Sequence, residues 1–312
     1  ESGPERFSAV LAEFLRLYLD HALLNTDRSI VESTLGKHRV ILLRFIASAI
    51  SCPQYNQDAL YILGSQRAPN AFSDEKIRQA RSIIDDLVSG KETSTAVVKS
   101  IVDNYIALSQ EETYAWQHEP ETYIKKMDSE NYNPDNIQPR ATGIDLLICM
   151  VERDSSDCVA KVLTEMRKSL LLQPQMDPNV VLAKDSCYRA IGEVMAKVPD
   201  CIEPKGWFRN ELRAMLASDL LARFPMSIMK ARALWLTGIV VNQLPYRLWV
   251  QALELSIKNL HSDDGVVGLM AVTTLTALVS GAPSLLPPPP TMHTNAQTKH
   301  MPQHTQWRYQ SS

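Results

Sequence analysis

Glycine and phenylalanine are scarce in this chain of 312 residues, at 11 and 6. A sheet-rich fold with many tight turns normally needs more of both, because glycine supplies positive backbone angles and aromatics favour strands. Strict apolar/polar alternation bounded by turn residues is also missing, so strands are not expected. No apolar run reaches the roughly 18 residues of a membrane span, and nothing at the start reads as a signal peptide. The chain is therefore expected to be soluble and intracellular, without membrane contact. A basic stripe is absent too. The net charge of −3 and a pI near 6.2 argue against direct nucleic-acid binding.

Reactive chemistry is equally thin. Five cysteines occur, Cys52, Cys149, Cys158, Cys187 and Cys201. An odd count with irregular spacing fits neither a disulfide framework nor a C-x-x-C zinc site, so reduced, buried thiols are expected. No P-loop, G-x-G-x-x-G, H-E-x-x-H or G-x-S-x-G string occurs. His300 and His304 have helix-face spacing but sit in a polar tail, where chance composition explains them. His118 has no nucleophile or metal partner nearby in sequence. Catalytic, cofactor-binding and metal-ligating residues are therefore expected to be none, and the chain is not expected to be an enzyme.

What is present is helical spacing. Phe7, Val10, Leu11, Phe14 and Tyr18 recur at steps of three and four, with Glu13, Arg16 and Asp20 on the other face. So do Ile144, Leu147, Ile148 and Val151, then Val159, Val162, Leu163, Met166 and Leu170, then Ile191, Val194, Met195 and Val198. Apolar content of 45% suffices for a continuous core, and 21% charged is ordinary. Prolines punctuate these segments, as expected of residues that start helices and break them. Short joints between helices favour antiparallel neighbours.

A repeat separates a bundle from a solenoid. After Pro245, Trp249, Leu253, Ile257 and Leu260 form one face. The turn His261-Ser262-Asp263-Asp264-Gly265 comes next, then Val267, Ala271, Leu275 and Leu278. This is close to a HEAT pattern, with acidic residues placed to cap the second helix. Small-residue helices recur around Ala141, Ala190, Ala233 and Ala271, at steps of 49, 43 and 38 residues (190−141, 233−190, 271−233). HEAT and armadillo units run about 40–47 residues. The expected fold is an all-α, HEAT/ARM-type helical-repeat solenoid.

The expected organisation is HEAT-like repeats over 1–106, an acidic Trp/Pro-Glu hairpin and connector over 107–139, HEAT-like repeats over 140–281, and a proline-rich, polar, disordered tail over 282–312. Longer connectors are expected at 51–69 and 127–139. The missing initiator methionine and the abrupt end of the repeat at Gly281 suggest a piece of a longer array, with the tail standing in place of further repeats.

The hairpin carries the candidate site. Ser109 with Glu112 three residues on reads as a capping box for the helix bearing Trp116. Pro120 can open the next helix, and Trp116 and Tyr123 are large enough to pin the hairpin to the array. Glu111, Glu112, Trp116, Glu119, Pro120, Glu121 and Tyr123 are thus either an aromatic staple or a partner-contacting loop. Between Asp103 and Asp135 stand eight acidic residues against Lys125 and Lys126. That excess either forms a solvated face or steers a basic partner. Asp154 and Asp157 read as an N-cap for the adjoining helix.

The string Leu108-Ser109-x-Glu111-Glu112-x-x-x-Trp116-x-x-x-Pro120-Glu121-x-Tyr123 resembles a signature of the importin-β (karyopherin-β) superfamily. Arg140-Ala141-Thr142-Gly143-Ile144 looks like the helix start that succeeds it there. Lys184-Asp185-Ser186-Cys187-Tyr188-Arg189-Ala190-Ile191-Gly192 and Ala231-Arg232-Ala233-Leu234-Trp235-Leu236-Thr237-Gly238 resemble the next two helices. The words run in order from Leu108 to Gly281, nearest to the importin-eleven-like branch, and the region before Asn104 carries none. The resemblance implies a nuclear transport receptor shuttling between nucleus and cytoplasm. Its partners would be cargo proteins on the concave side, phenylalanine-glycine nucleoporins on the outer side, and the Ran GTPase, whose binding releases cargo. Much of the family's Ran surface lies in its first repeats, and this chain is expected to start after them, so Ran binding by this segment alone is not implied. A HEAT scaffold of a non-transport complex is the competing class.

Overall fold

Proline placement explains where many helices begin. The computed structural model describes residues 13–24, 31, 36–55, 74–130, 138–154, 156–174, 177–198 and 203–281. A short π turn, Asp20–Leu24, precedes α1 (Gly36–Ser51), α2 (Asp74–Ser89) and α3 (Lys91–Ser100), which continues through a π turn at Ile101–Ile106. The hairpin is α4 (Gln110–His118) and α5 (Pro120–Glu130). Then come α6 (Pro139–Arg153), α7 (Cys158–Leu171), α8 (Pro178–Val194), the short α9 (Pro204–Trp207) and α10 (Arg213–Ala217), α11 (Ser227–Val240), α12 (Tyr246–Asn259) and α13 (Gly265–Gly281). Pro139, Pro178 and Pro204 each stand in a first turn, where a missing N–H costs nothing.

No strand occurs among the described residues, and the chain is an all-α helical-repeat solenoid. One row of helices packs side by side in the order α1, α6, α8, α11, α13, while α3 and α7 pack against its first half, and α10 and α12 against its second. The recurring alanines sit on α6, α8, α11 and α13, and Ala190, Ala233 and Ala271 are fully buried at the joints. Close approach needs small residues. A Cβ at Gly192 would stand 2.3 Å from the Trp235 ring, so only glycine lets α8 and α11 meet there. Where α11 meets α13, the Thr274 hydroxyl donates to Leu234 O at 2.9 Å, tying one helix to the next.

Several expectations shift. On α12 the inward face is Leu248, Trp249, Ala252, Ser256 and Asn259, while Ile257 is half exposed. The polar residues turn inward because they find backbone acceptors: Ser256 donates to Ala252 O at 2.8 Å, and Asn259 to Leu216 O at 3.1 Å. In the helical residues 13–19, ahead of the π turn, Leu15 and Leu19 are buried, with Phe14 and Tyr18 on the shoulder. The connector expected from Met127 gives way to helix as far as Glu130. Asp154, not Asp157, caps α7: its carboxylate accepts from Val159 N at 2.9 Å and Ser156 N at 2.9 Å. Asp157 occupies the cap position in a left-handed conformation, φ 55°, with no side-chain cap bond. Phe7, Val10, Leu11, Cys201, Asp135, His300, His304, most of the 51–69 and 131–137 connectors and the 282–312 tail lie outside the described residues. Cys52, Cys149, Cys158 and Cys187 are free thiols. Burial pushes the Cys187 thiol up to about 12, so it stays protonated and inert.

Candidate functional site: a hairpin across the helix row

The hairpin starts from a reciprocal cap. Glu112 N donates to Ser109 Oγ at 3.1 Å, and Ser109 N donates to Glu112 Oε2 at 2.7 Å. The same carboxylate does a second job. Arg140, in the first turn of α6, grips both its oxygens at 2.5 and 2.8 Å, and its Nε donates to Ile106 O at 2.9 Å. Both side chains are more than nine-tenths buried. A charge so enclosed is tolerated only when its hydrogen bonds are met, and the fork-on-fork geometry meets them. Glu112 is therefore not part of any solvated acidic face.

Trp116 and Tyr123 face each other with ring centroids 4.9 Å apart and planes tilted by 52°. Both are buried. The Trp116 indole N–H reaches far along the chain, donating to Asp264 Oδ2 at 3.1 Å. Asp264 also accepts from the Ser227 hydroxyl at 2.5 Å, and its other oxygen caps α13 by accepting from Val266 N and Val267 N at 3.0 and 3.2 Å. Pro120 lies against Gly265, where a Cβ would stand 2.9 Å from the proline ring. The Trp/Pro-Glu string and the acidic turn, far apart in sequence, are thus in contact.

Between these anchors lies a ladder of buried charge. Arg232 of α11 forks onto Asp185 of α8 at 2.7 and 3.3 Å. Arg189 of α8 pairs with Glu193 at 2.6 Å. The Arg189 and Arg232 guanidiniums both lie over the Trp235 ring, 4.5 and 4.9 Å from its centroid. Burial, then the like charges of Arg232 and Arg140, pull Arg189 below its ordinary range. Tyr123 sits within this field. Burial pushes its phenol up to about 12, opposed by the Arg140 and Arg232 guanidiniums. A second cluster centres on Glu211, which accepts from Tyr188 at 2.6 Å and Trp207 at 3.0 Å and pairs with Arg167 at 3.1 Å.

The outward side of the hairpin is different. Glu111 pairs with Lys126 at 3.2 Å and Glu121 with Lys125 at 3.8 Å, all near solvent, and Glu119 is exposed. Tyr114, largely exposed, lies 4.4 Å from the His118 ring. Of the seven candidate residues, Glu112, Trp116 and Tyr123 turn inward, Pro120 packs on Gly265, and Glu111, Glu119 and Glu121 remain outside. A cavity of about 520 Å³ opens beside the hairpin, bounded by Lys37, Tyr105, Gln110, Lys126 and Arg140. A second groove of about 820 Å³ runs between α3 and α7 over Val162, Met166 and Leu170, with Lys91, Lys99 and Lys161 at its rim. Sequence reasoning did not anticipate the ion pairs of Arg140 and Arg232, or Asp264 as a tertiary acceptor. The available signal was arginines set in otherwise apolar helices, which demand acidic partners. No group of residues suited to holding a metal ion occurs among the described residues. No described helix is long and apolar enough to cross a membrane.

Comparison with known proteins gives a distant likeness. Human Importin-11 is 24% identical over 185 residues, which is 59% of this chain and 18% of that protein. Mouse Importin-11 matches with the same identity and coverage. The chain thus spans under a fifth of the length of the curated relatives it matches. No family model matches. No solved structure matches either. The chain is all-helical and repeat-built, with a distant similarity to Importin-11 over those 185 residues.

Proposed function

We propose that this chain is part of a nuclear transport receptor of the importin-β superfamily, carrying protein cargo through the nuclear pore under control of the Ran GTPase. The reading rests chiefly on one observation, that words resembling the family's occur in order from Leu108 to Gly281, and the similarity to Importin-11 over 185 residues supports it. The geometry supports it by giving those words a common place. Glu112 and Trp116 of the first, Arg140 of the second, Asp185 and Arg189 of the third and Arg232 of the fourth join in the paired charges and aromatic contacts beneath the hairpin.

The receptor needs no catalytic site. Its work is differential binding: cargo and Ran favour different curvatures of the array, and a few kcal/mol of coupling, on the order of 1–3, suffices for release. The exposed carboxylates Glu111, Glu119 and Glu121 would face a basic partner, and the α3–α7 groove would receive nucleoporin phenylalanines on its apolar floor. The protein would shuttle between nucleus and cytoplasm.

A pull-down with Ran locked in its GTP state tests this, using the chain alone and the chain extended in its natural reading frame. Capture of Ran by the extended protein, with cargo displaced, supports the receptor. No Ran capture, together with a stable stoichiometric complex indifferent to nucleotide, would replace the receptor with a HEAT scaffold.

A further inference from the structure

A helical repeat array ordinarily couples only neighbouring units, so small rotations accumulate freely along it. Here one segment defeats that rule. The hairpin leaves the chain before α6 and touches α13, joining Trp116 to a residue 148 positions later. We propose that the α4–α5 hairpin is an intramolecular strap that sets the spacing of α6, α8, α11 and α13, with a fixed end at Arg140 and a releasable end at Asp264.

The two ends differ in chemistry. At α6 the grip is the buried Glu112–Arg140 fork, and Glu112 also holds the Ser109 amide. Parting it would strand two enclosed charges, so this end does not open in a folded protein. At α13 the grip is neutral: the Trp116 indole on Asp264, Pro120 on Gly265, and the packing of α5 along α13. Asp264 keeps the Ser227 hydroxyl and two α13 amides when the indole leaves, so release strands no buried carboxylate. The middle of the strap, Tyr123, lies among Arg140, Arg232 and Asp185, which belong to the three helices crossed on the way. A strap locked by buried charge at one end and seated through neutral contacts at the other converts a local event at the hairpin into a change of curvature over four helices. This inference concerns mechanics and stands whether or not the chain carries cargo.

Gly265→Leu tests it, because two accounts give opposite signs. Helix propensity alone makes leucine at the start of α13 neutral or stabilising. The strap makes it disruptive, since the new side chain enters the space of Pro120. Hydrogen exchange in residues 110–130 should quicken by about fivefold or more, as losing one hydrogen bond would give. Exchange in α6 should hold, and the radius of gyration should rise. Trp116→Phe, which keeps an aromatic ring of smaller size and removes the donor, should act in the same direction. Ser227→Ala should leave hairpin exchange unchanged. Parent-like exchange and scattering in both Gly265→Leu and Trp116→Phe would overturn the strap, as would loss of protection spread evenly through α6. If Gly265→Leu does not fold, Trp116→Phe decides alone.

Discussion

The hairpin side of the row and the α3–α7 groove treat charge in opposite ways. Beneath the hairpin, Glu112, Arg140, Asp185, Arg189 and Arg232 are buried and bound to fixed partners. Along the groove, Lys91, Lys99 and Lys161 stand exposed at the rim of an apolar floor with Asp103 and Glu165 beside them, and Lys161 donates to Ser156 O at 2.7 Å. Buried, paired charge carries little net stability, but it penalises every arrangement that separates the partners. Exposed charge specifies almost nothing about the fold and stays available to a partner. The first region therefore fixes where the hairpin sits, and the second is free to serve binding.

Breaking one member of a buried pair should produce the largest effect. Arg140→Ala leaves Glu112 charged and enclosed, and should cost about 3–5 kcal/mol in chemical denaturation. The double change Glu112→Leu with Arg140→Met should recover much of that loss, because no lone charge remains. Next comes Gly192→Ala. Its Cβ meets the Trp235 ring and Leu236, so overpacking should cost roughly 1–3 kcal/mol and lower the melting temperature. Trp116→Phe should cost about 1 kcal/mol through one lost hydrogen bond.

Alkali probes the buried region beneath the hairpin through Tyr123. Tyr123 is raised to about 12 by burial, so ultraviolet titration should show a phenol ionising well above the ordinary value near 10. A tyrosine raised in the folded state adds stability that is whole below its unfolded value near 10 and is lost as pH climbs through the folded value. Unfolding should set in between about pH 10 and 12. The smallest effect belongs to the groove. Lys91→Ala, Lys99→Ala and Lys161→Ala should each stay within about 0.5 kcal/mol of the parent in stability, while changing affinity for whatever the groove holds.

Local rules made part of this arrangement legible in the sequence. The Ser109–Glu112 cap, Pro120 as a helix start and the acidic turn before α13 depend on residues two to four apart, and periodicity places most of the core. The misses of periodicity have a common cause. Ser256 and Asn259 face inward because backbone carbonyls of α12 itself and of α10 await them. Asp157 cedes its cap to Asp154 because a left-handed residue at the helix entrance turns its carboxylate away. The Glu112–Arg140 and Arg232–Asp185 pairs and the Trp116–Asp264 bond join residues 28, 47 and 148 apart. Nothing in one sequence states such pairings. Arginine in an apolar helix announces only that a partner exists.

A double-mutant cycle in thermal or denaturant unfolding tests the hairpin's reach most directly, combining Trp116→Phe with Gly265→Leu. Residues so distant along a neighbour-coupled array should behave independently unless the hairpin brings them together. A strap predicts a coupling of about 0.5–3 kcal/mol, since either change alone already loosens the same contact. Losses that simply add, within about 0.3–0.5 kcal/mol, would contradict it.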